Sequence, residues 1–278
     1  MISYDSPVPP IVAICYDFDK TLSPEDMQAQ GFIQAVGYSV EDFWRQTNDL
    51  AHANDMDPNL AYMYKMIQSS AFTRKTLASY GAGVSLFKGV RQWFGRINRF
   101  GEERGVSVEH YVISSGLKEM IEGTPIASCF KRIYASSFFY GTGDGIAVWP
   151  AQVVNYTGKT QYLFRIEKGV LEVNDLSVNE VFPSAEIRIP FRNMIYIGDS
   201  DTDVPCMKLV RSRGGYSVGV YDQSSEKVLK MIRDGRIDYY APADYSEGGR
   251  LDELIKMIIG LIACRERLSR SDEMMSRP

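Results

Sequence analysis

The sequence predicts an α/β fold, a doubly wound, Rossmann-like parallel sheet with a smaller all-helical unit inserted after its first strand. Three observations in the 278-residue chain predict it. Two apolar runs, Ile11-Val12-Ala13-Ile14-Cys15-Tyr16 and Asn193-Met194-Ile195-Tyr196-Ile197, are too brief for helices and read as buried strands. Between residues 24 and 80 apolar positions recur at helical spacing with no convincing strand. From Val90 onward strand-like and helix-like segments alternate, as they do where parallel strands are joined by crossover helices.

The first strand ends in Asp17-Phe18-Asp19-Lys20-Thr21, at the rim where open α/β sheets bind ligands. Ser23, Pro24 and Asp26 then predict a helix start: a capping hydroxyl, a proline at the first helical position and an acid at the positive end of the dipole. Phe32, Ile33 and Val36 mark one apolar face, Phe43, Trp44 and Leu50 another, and Leu60, Met63, Tyr64, Ile67 and Phe72 a third. These three or four amphipathic helices place a helical unit at 24–85 and a core at 1–23 with 86–278. Gly81, Gly83 and Gly89 at the return suit a hinge or ordinary loops. A helix is expected over 90–103, a strand over 110–113 ending in Ser114-Ser115-Gly116, and a helix over 117–121. Strands at 133–140 and 146–154 flank a glycine-rich turn and predict a hairpin. Lys159 heads an amphipathic helix carrying Tyr162, Leu163, Phe164 and Ile166. Residues 169–192 are irregular and receive no role. Helix 204–210, strand 216–220, helix 226–232, strand 238–240 and helix 251–267 follow, with a frayed tail over 269–278.

A net charge of −4 gives no electrostatic reason to expect nucleic acid or an anionic membrane surface. Residues 1–10 are polar and proline-rich, without the basic start and long apolar core of an export signal, and the apolar run 257–264 is too short to span a bilayer. A soluble cytoplasmic protein is expected; its oligomeric state is not legible. Cys15, Cys129, Cys206 and Cys264 form no Cys-x-x-Cys pair, so neither a zinc site nor a redox motif is indicated. His52 and His110 read as surface and structural residues.

The chemistry lies in a second acidic cluster, Gly198-Asp199-Ser200-Asp201-Thr202-Asp203, which follows the second apolar run. Strand ends of one sheet lie side by side, so the two clusters converge unless both are merely solvated turns. Converging carboxylates repel, and a hard divalent cation removes that cost; Mg2+ favours few carboxylates with water and substrate phosphate. Ser114 and Ser115 before a helix offer hydroxyls near free backbone N–H groups, an anion site or simply a helix cap. Gly158-Lys159-Thr160 lacks the upstream glycine of a nucleotide P-loop.

Taken in order, Asp17-x-Asp19-x-Thr21, Ser114 after an apolar strand, Lys159, and Gly198-Asp199-x-x-x-Asp203 resemble the four motifs of the haloacid dehalogenase superfamily. The resemblance is to its phosphatase branch with a helical cap, phosphoserine-phosphatase-like, and covers residues 11–221. It implies that the helical insertion closes over the active site and that Asp17 attacks phosphorus to form an aspartyl-phosphate. It further implies that Asp19 first protonates the leaving oxygen and then activates water. Mg2+ would be held by Asp17, Asp199 and the backbone carbonyl of Asp19, with Asp203 orienting that cluster or the lysine. Ser114, Ser115, Lys159 and Thr21 would hold the phosphoryl group. An acid at Asp19 suits an ester rather than a halide, because an alkoxide leaving group needs a proton. A small-molecule phosphate ester is the expected substrate. A phosphotransferase or mutase, or a silent phospho-ligand-binding protein, are the alternatives. Asp201 has no implied role.

Overall fold

Strand β1 (Ile11–Tyr16) runs down the middle of a seven-stranded sheet in the computed structural model, which describes residues 9–275. On one side lie β2 (Ser107–Leu117), β3 (Arg132–Tyr140) and β4 (Ala147–Gln152); on the other, β5 (Met194–Gly198), β6 (Tyr216–Tyr221) and β7 (Tyr239–Pro242). Every pairing is parallel except that of β3 with β4, the expected hairpin, which forms an edge of the sheet. Tyr16 pairs with Val112 on one side and Ile197 on the other, so β1 and β5 end almost level while β2 runs on past them to Leu117.

The helices, in chain order, are α1 (Phe32–Ala35), α2 (Val40–Ala53), α3 (Pro58–Ser69) and α4 (Arg74–Ala82) between β1 and β2, then α5 (Val90–Glu103), α6 (Lys118–Gly123), α7 (Thr160–Lys168), α8 (Val204–Ser212), α9 (Glu226–Arg233) and α10 (Arg250–Met275). Alternate residues of β1 point to opposite faces. Val12, Ile14 and Tyr16 join one core with α5 and α10, whereas Ala13 and Cys15 join another with α7, α8 and α9. Burial on both faces is why β1 is continuously apolar. His110 sits inside β2, hydrogen-bonded to Tyr16 (2.9 Å) and Asn98 (2.8 Å), and burial lowers its pKa to about 3, so it is a neutral structural histidine as read.

Four expectations need correction. No helix starts at Ser23. The N–H groups of Thr21, Leu22 and Ser23 all donate to the Phe18 carbonyl, and Ser23 Oγ donates to the Glu25 carbonyl at 2.9 Å, so the chain closes a tight loop first. Ser114-Ser115-Gly116 stay within β2, across a register irregularity, and the helix begins one residue late at Lys118. The tail remains helical through Met275; residues 276–278, like residues 1–8 of the expected signal-free start, lie outside the described residues. Gly81 is not a hinge. A Cβ there would lie 1.9 Å from the Met120 carbonyl oxygen, and one on Gly123 would lie 2.0 Å from that of Ala78, so α4 and α6 cross with their backbones in direct apposition. Gly81→Ala is expected to cost about 1–3 kcal/mol by overpacking and to lower the thermal midpoint by several degrees, checked by thermal unfolding beside Gly83→Ala, whose Cβ meets nothing closer than 3.5 Å.

The irregular stretch 169–192 forms 3-10 turns at Leu176–Asn179, Ser184–Glu186 and Phe191–Asn193. Its carbonyls are gathered by cations at the end of α7: Arg165 donates to Glu172, Val173 and Asp175, and Lys168 to Val178 and Glu180. Among the described residues no helix is long and apolar enough to cross a membrane.

Candidate active site

Asp17 is the first residue beyond β1, and its own N–H donates to the Ile197 carbonyl at 2.9 Å. That bond extends the β1–β5 ladder by one step and fixes the carboxylate at the sheet rim. The Phe18 N–H donates to Asp17 Oδ1 at 2.8 Å. Asp199 follows β5 directly, and Asp203 precedes α8. Carboxylate oxygens of Asp17, Asp199 and Asp203 lie within 4.8 Å of one another, so the two acidic clusters do converge.

Lys159, in the 3-10 turn Tyr156–Lys159 ahead of α7, reaches this group. Its Nζ lies 2.8 Å from Asp203 Oδ1 and 3.3 Å from Asp17 Oδ2, and neither Lys159 nor Asp203 has any exposed surface. Asp203 also accepts from Tyr196 OH (2.9 Å), Ser200 N–H (3.1 Å) and Ser200 Oγ (3.1 Å), so every lone-pair direction of this buried acid is used. Burial first, then the charge of Asp203, raises the pKa of Asp17. Burial, Asp203 and Asp17 raise that of Asp199. Burial opposes the charge on Lys159, but Asp17 and Asp203 outweigh it and hold the ammonium charged. Three carboxylates, Asp17 and Asp203 buried and Asp199 part-buried, against one ammonium leave an excess of negative charge, and the oxygens of Asp17 and Asp199 fit a hard divalent cation.

Asp19 stands apart from that trio. Its Oδ1 accepts from the Met27 N–H at 2.9 Å, and burial, then Asp26 and Asp17, raises its pKa well above the ordinary carboxylate range. A carboxyl kept protonated at the rim of a cavity can donate a proton. Gly116 makes room for it, since a Cβ there would meet Asp19 Oδ2 at 2.8 Å.

Asp17, Asp19, Ser114, Ser115 and Asp199 all line one cavity of about 340 Å³, bounded by strand-end loops and by α2 and α3. Ser114 Oγ accepts from the Gly116 N–H at 3.1 Å, and Ser115 Oγ is buried without a partner among the described residues. Thr21 and Lys159, grouped by sequence with the phosphate ligands, are both fully buried and outside the cavity wall; Thr21 Oγ1 lies 3.5 Å from Asp199 Oδ1, and Tyr245 OH donates to the Thr21 carbonyl at 2.9 Å. Asp201 pairs with Arg236 on the surface at 3.3 Å, which accounts for its lack of a role in the cluster.

Sequence reasoning missed Tyr196 and Ser200, which clamp Asp203, and Lys227, on the cavity wall and near enough to Asp199 to lower its pKa against the larger raising effects. It marked Trp44 only as part of an apolar helix face and did not single out Thr47, yet both line the cavity. Ser200, inside the fourth motif, was the one carrying a signal.

A family model described as haloacid dehalogenase-like hydrolase matches residues 14–208. A curated Borreliella burgdorferi protein, described as uncharacterized, is 28% identical over 274 residues, covering 87% of this chain and 94% of that one. A HAD family hydrolase structure from Salmonella enterica serovar Typhi has a TM-score of 0.58 at 18% identity, covering 91% of this chain and 72% of that one. A phosphoserine phosphatase solved as a phospho-aspartyl intermediate analogue has a TM-score of 0.53 at 14% identity, covering 89% and 99%. At these identities the solved structures show that the fold is shared.

Proposed function

The chain belongs to the haloacid dehalogenase-like hydrolase family, and on that premise we propose that it is a Mg2+-dependent phosphatase that cleaves a small phosphate monoester through a phosphorylated Asp17. The observation that carries this reading is the convergence of Asp17, Asp199 and Asp203 within 4.8 Å, with Lys159 Nζ 3.3 Å from Asp17.

The Asp17 carboxylate forms a bond to phosphorus while the ester P–O bond breaks, and Asp19 gives its proton to the departing oxygen. Asp19 then takes a proton from water as that water attacks phosphorus and restores Asp17. Lys159, tethered by Asp203, and the hydroxyls of Ser114 and Ser115 supply positive charge and donors to the phosphoryl oxygens. Mg2+, held by Asp17, Asp199 and the Asp19 carbonyl, would neutralise charge on those oxygens when bound. In this reading residues 24–85 are a helical cap over a core of 1–23 and 86–278, supported by a cavity wall drawn from both. A covered cavity favours a small substrate over a protein or nucleic acid, consistent with a cytoplasmic enzyme.

The direct test is release of inorganic phosphate from p-nitrophenyl phosphate with Mg2+. Turnover absent from Asp17→Asn supports the reading; none in either protein favours a binding protein, and transfer to an added alcohol in place of water favours a phosphotransferase.

Metal binding carries its own pH signature. Burial, then neighbouring carboxylates, pushes Asp17 up to about 6 and Asp199 up to about 8. A carboxyl raised in the fold binds more protons folded than unfolded, so in the metal-free protein the contribution of these two groups to stability is fully present below the ordinary carboxylate range near pH 4 and is lost as pH rises through these values. Protons compete with Mg2+ for the same oxygens. Saturating Mg2+ is therefore expected to raise the thermal midpoint by roughly 5 °C at pH 8 and by less at pH 6. An equal shift at both pH values, or one retained in Asp199→Asn, contradicts the assignment.

A further inference from the structure

The turn that delivers Lys159 is built from exposed chain. Tyr156, Thr157 and Gly158 are exposed, and Lys159 alone of the four turns inward, with no exposed surface. Tyr156 has a φ of +30°, in the left-handed region that a residue with a side chain seldom occupies and that persists only where the surroundings hold it. Two of the bonds that hold this segment come from the helical insertion. Asn155 Nδ2 donates to Asp57 Oδ2 at 2.6 Å, and Asn59 Nδ2 donates to the Val154 carbonyl at 2.8 Å. Asp57 is the N-cap of α3, and its two oxygens act separately: Oδ1 accepts from the N–H groups of Asn59 (2.7 Å) and Leu60 (3.2 Å), while Oδ2 accepts from Asn155. Further along the same helix Tyr62 OH donates to the Ser115 carbonyl at 2.9 Å, and Asn59, Tyr62, Ser115 and Asn155 all line the cavity.

Capping a helix needs one side-chain oxygen, and a serine would supply it. What a carboxylate adds here is a second acceptor, turned toward an amide four residues before Lys159. The contacts of Lys159 Nζ with Asp203 (2.8 Å) and Asp17 (3.3 Å) depend on where this turn places its backbone. We propose that Asp57 is a positioning residue: through Asn155 it fixes the turn that carries Lys159, so that the ammonium is set against Asp17 only while α3 is seated on the strand-end loops. Neither Asp57 nor Asn155 belongs to the four motifs, and the contact makes one side chain of the helical insertion part of the support of a lysine in the core. This inference rests on the phosphatase reading above, in which Lys159 offsets charge at Asp17.

The test measures kcat, KM and thermal midpoint, with p-nitrophenyl phosphate and Mg2+, for the parent, Asp57→Ser, Asn155→Asp and the exchanged pair Asp57→Asn with Asn155→Asp. Asp57→Ser keeps a capping oxygen but cannot reach Asn155. Asn155→Asp sets two carboxylates face to face. The exchange restores one donor and one acceptor, with the donor now at position 57, and asparagine caps a helix as well as aspartate does. Each single variant is expected to lower kcat and kcat/KM together by about tenfold, with KM within about twofold of the parent, because a displaced ammonium weakens an interaction made in the transition state. The exchange should return kcat to within about threefold of the parent. Single variants whose kcat matches the parent, or that lose only thermal midpoint, make the contact structural and overturn the inference. A rise in KM at unchanged kcat, or an exchanged pair as slow as Asn155→Asp, overturns it as well. Asp57→Ser decides the question if Asn155→Asp does not fold. All these outcomes leave the phosphatase reading standing, whereas a parent with no turnover above the Asp17→Asn control overturns both.

Discussion

Asp17→Asn is expected to lower kcat/KM by at least about 10³-fold, equivalent to about 4 kcal/mol of transition-state stabilisation, while the protein stays folded. The amide keeps the shape of the carboxylate and its oxygen can still accept from the Phe18 N–H, now at 2.8 Å. It is a poor nucleophile, so the covalent step is lost. Stability should move the other way. Asp17 is buried, and its ionised form is opposed both by that burial and by Asp203. Neutralising it removes a repulsion, and Lys159 retains Asp203 at 2.8 Å. In Mg2+-free buffer the thermal midpoint should therefore be unchanged or higher, with the Mg2+-induced shift reduced. Paired measurements of kcat/KM and thermal midpoint check this, and activity lost together with several degrees of stability would reassign Asp17 to a structural role.

Lys159→Met should have the larger effect on the fold. Methionine fills much the same space but leaves Asp17 and Asp203 adjacent and uncompensated in a site where lysine and Asp203 have no exposure at all. Removing one partner of a buried ion pair costs on the order of 3–5 kcal/mol, which for a chain of this size lowers the thermal midpoint by roughly 10 °C. The loss should grow with pH as Asp17 ionises, and Mg2+ should recover part of it by replacing the missing positive charge. Thermal unfolding at pH 6 and pH 8, with and without Mg2+, checks each point. A variant that unfolds with the parent at both pH values would mean that the ammonium is not what holds these carboxylates together.

Much of this site was legible because a parallel strand buried on both faces must be apolar throughout. The runs ending at Tyr16 and Ile197 announced two central strands, and whatever followed them had to emerge at one rim. Lys159 was found by its place in the motif order. The parts that were not legible depend on partners distant in the chain. Gly81 reads as a hinge or an ordinary loop glycine until Met120 is known to lie against it, since a glycine for freedom and a glycine for close approach look the same in sequence. Ser23, Pro24 and Asp26 satisfy the rules for a helix start, but three successive N–H groups had already turned back to the Phe18 carbonyl. Trp44 marked an apolar face, and only the fold distinguishes a face against core from a face against a cavity. Residues 269–275 are polar enough to look frayed, yet no glycine or proline interrupts them and α10 continues.

The covalent step can be tested by mixing the protein with a substrate ester and Mg2+, quenching in acid during turnover, and mapping the phosphorylated peptide by mass spectrometry. The account predicts one phosphoryl group on Asp17, more abundant in Asp19→Asn, where hydrolysis is slowed, and absent from Asp17→Asn. Phosphate on any other residue, or continued turnover with no phosphorylated peptide in either protein, would contradict it.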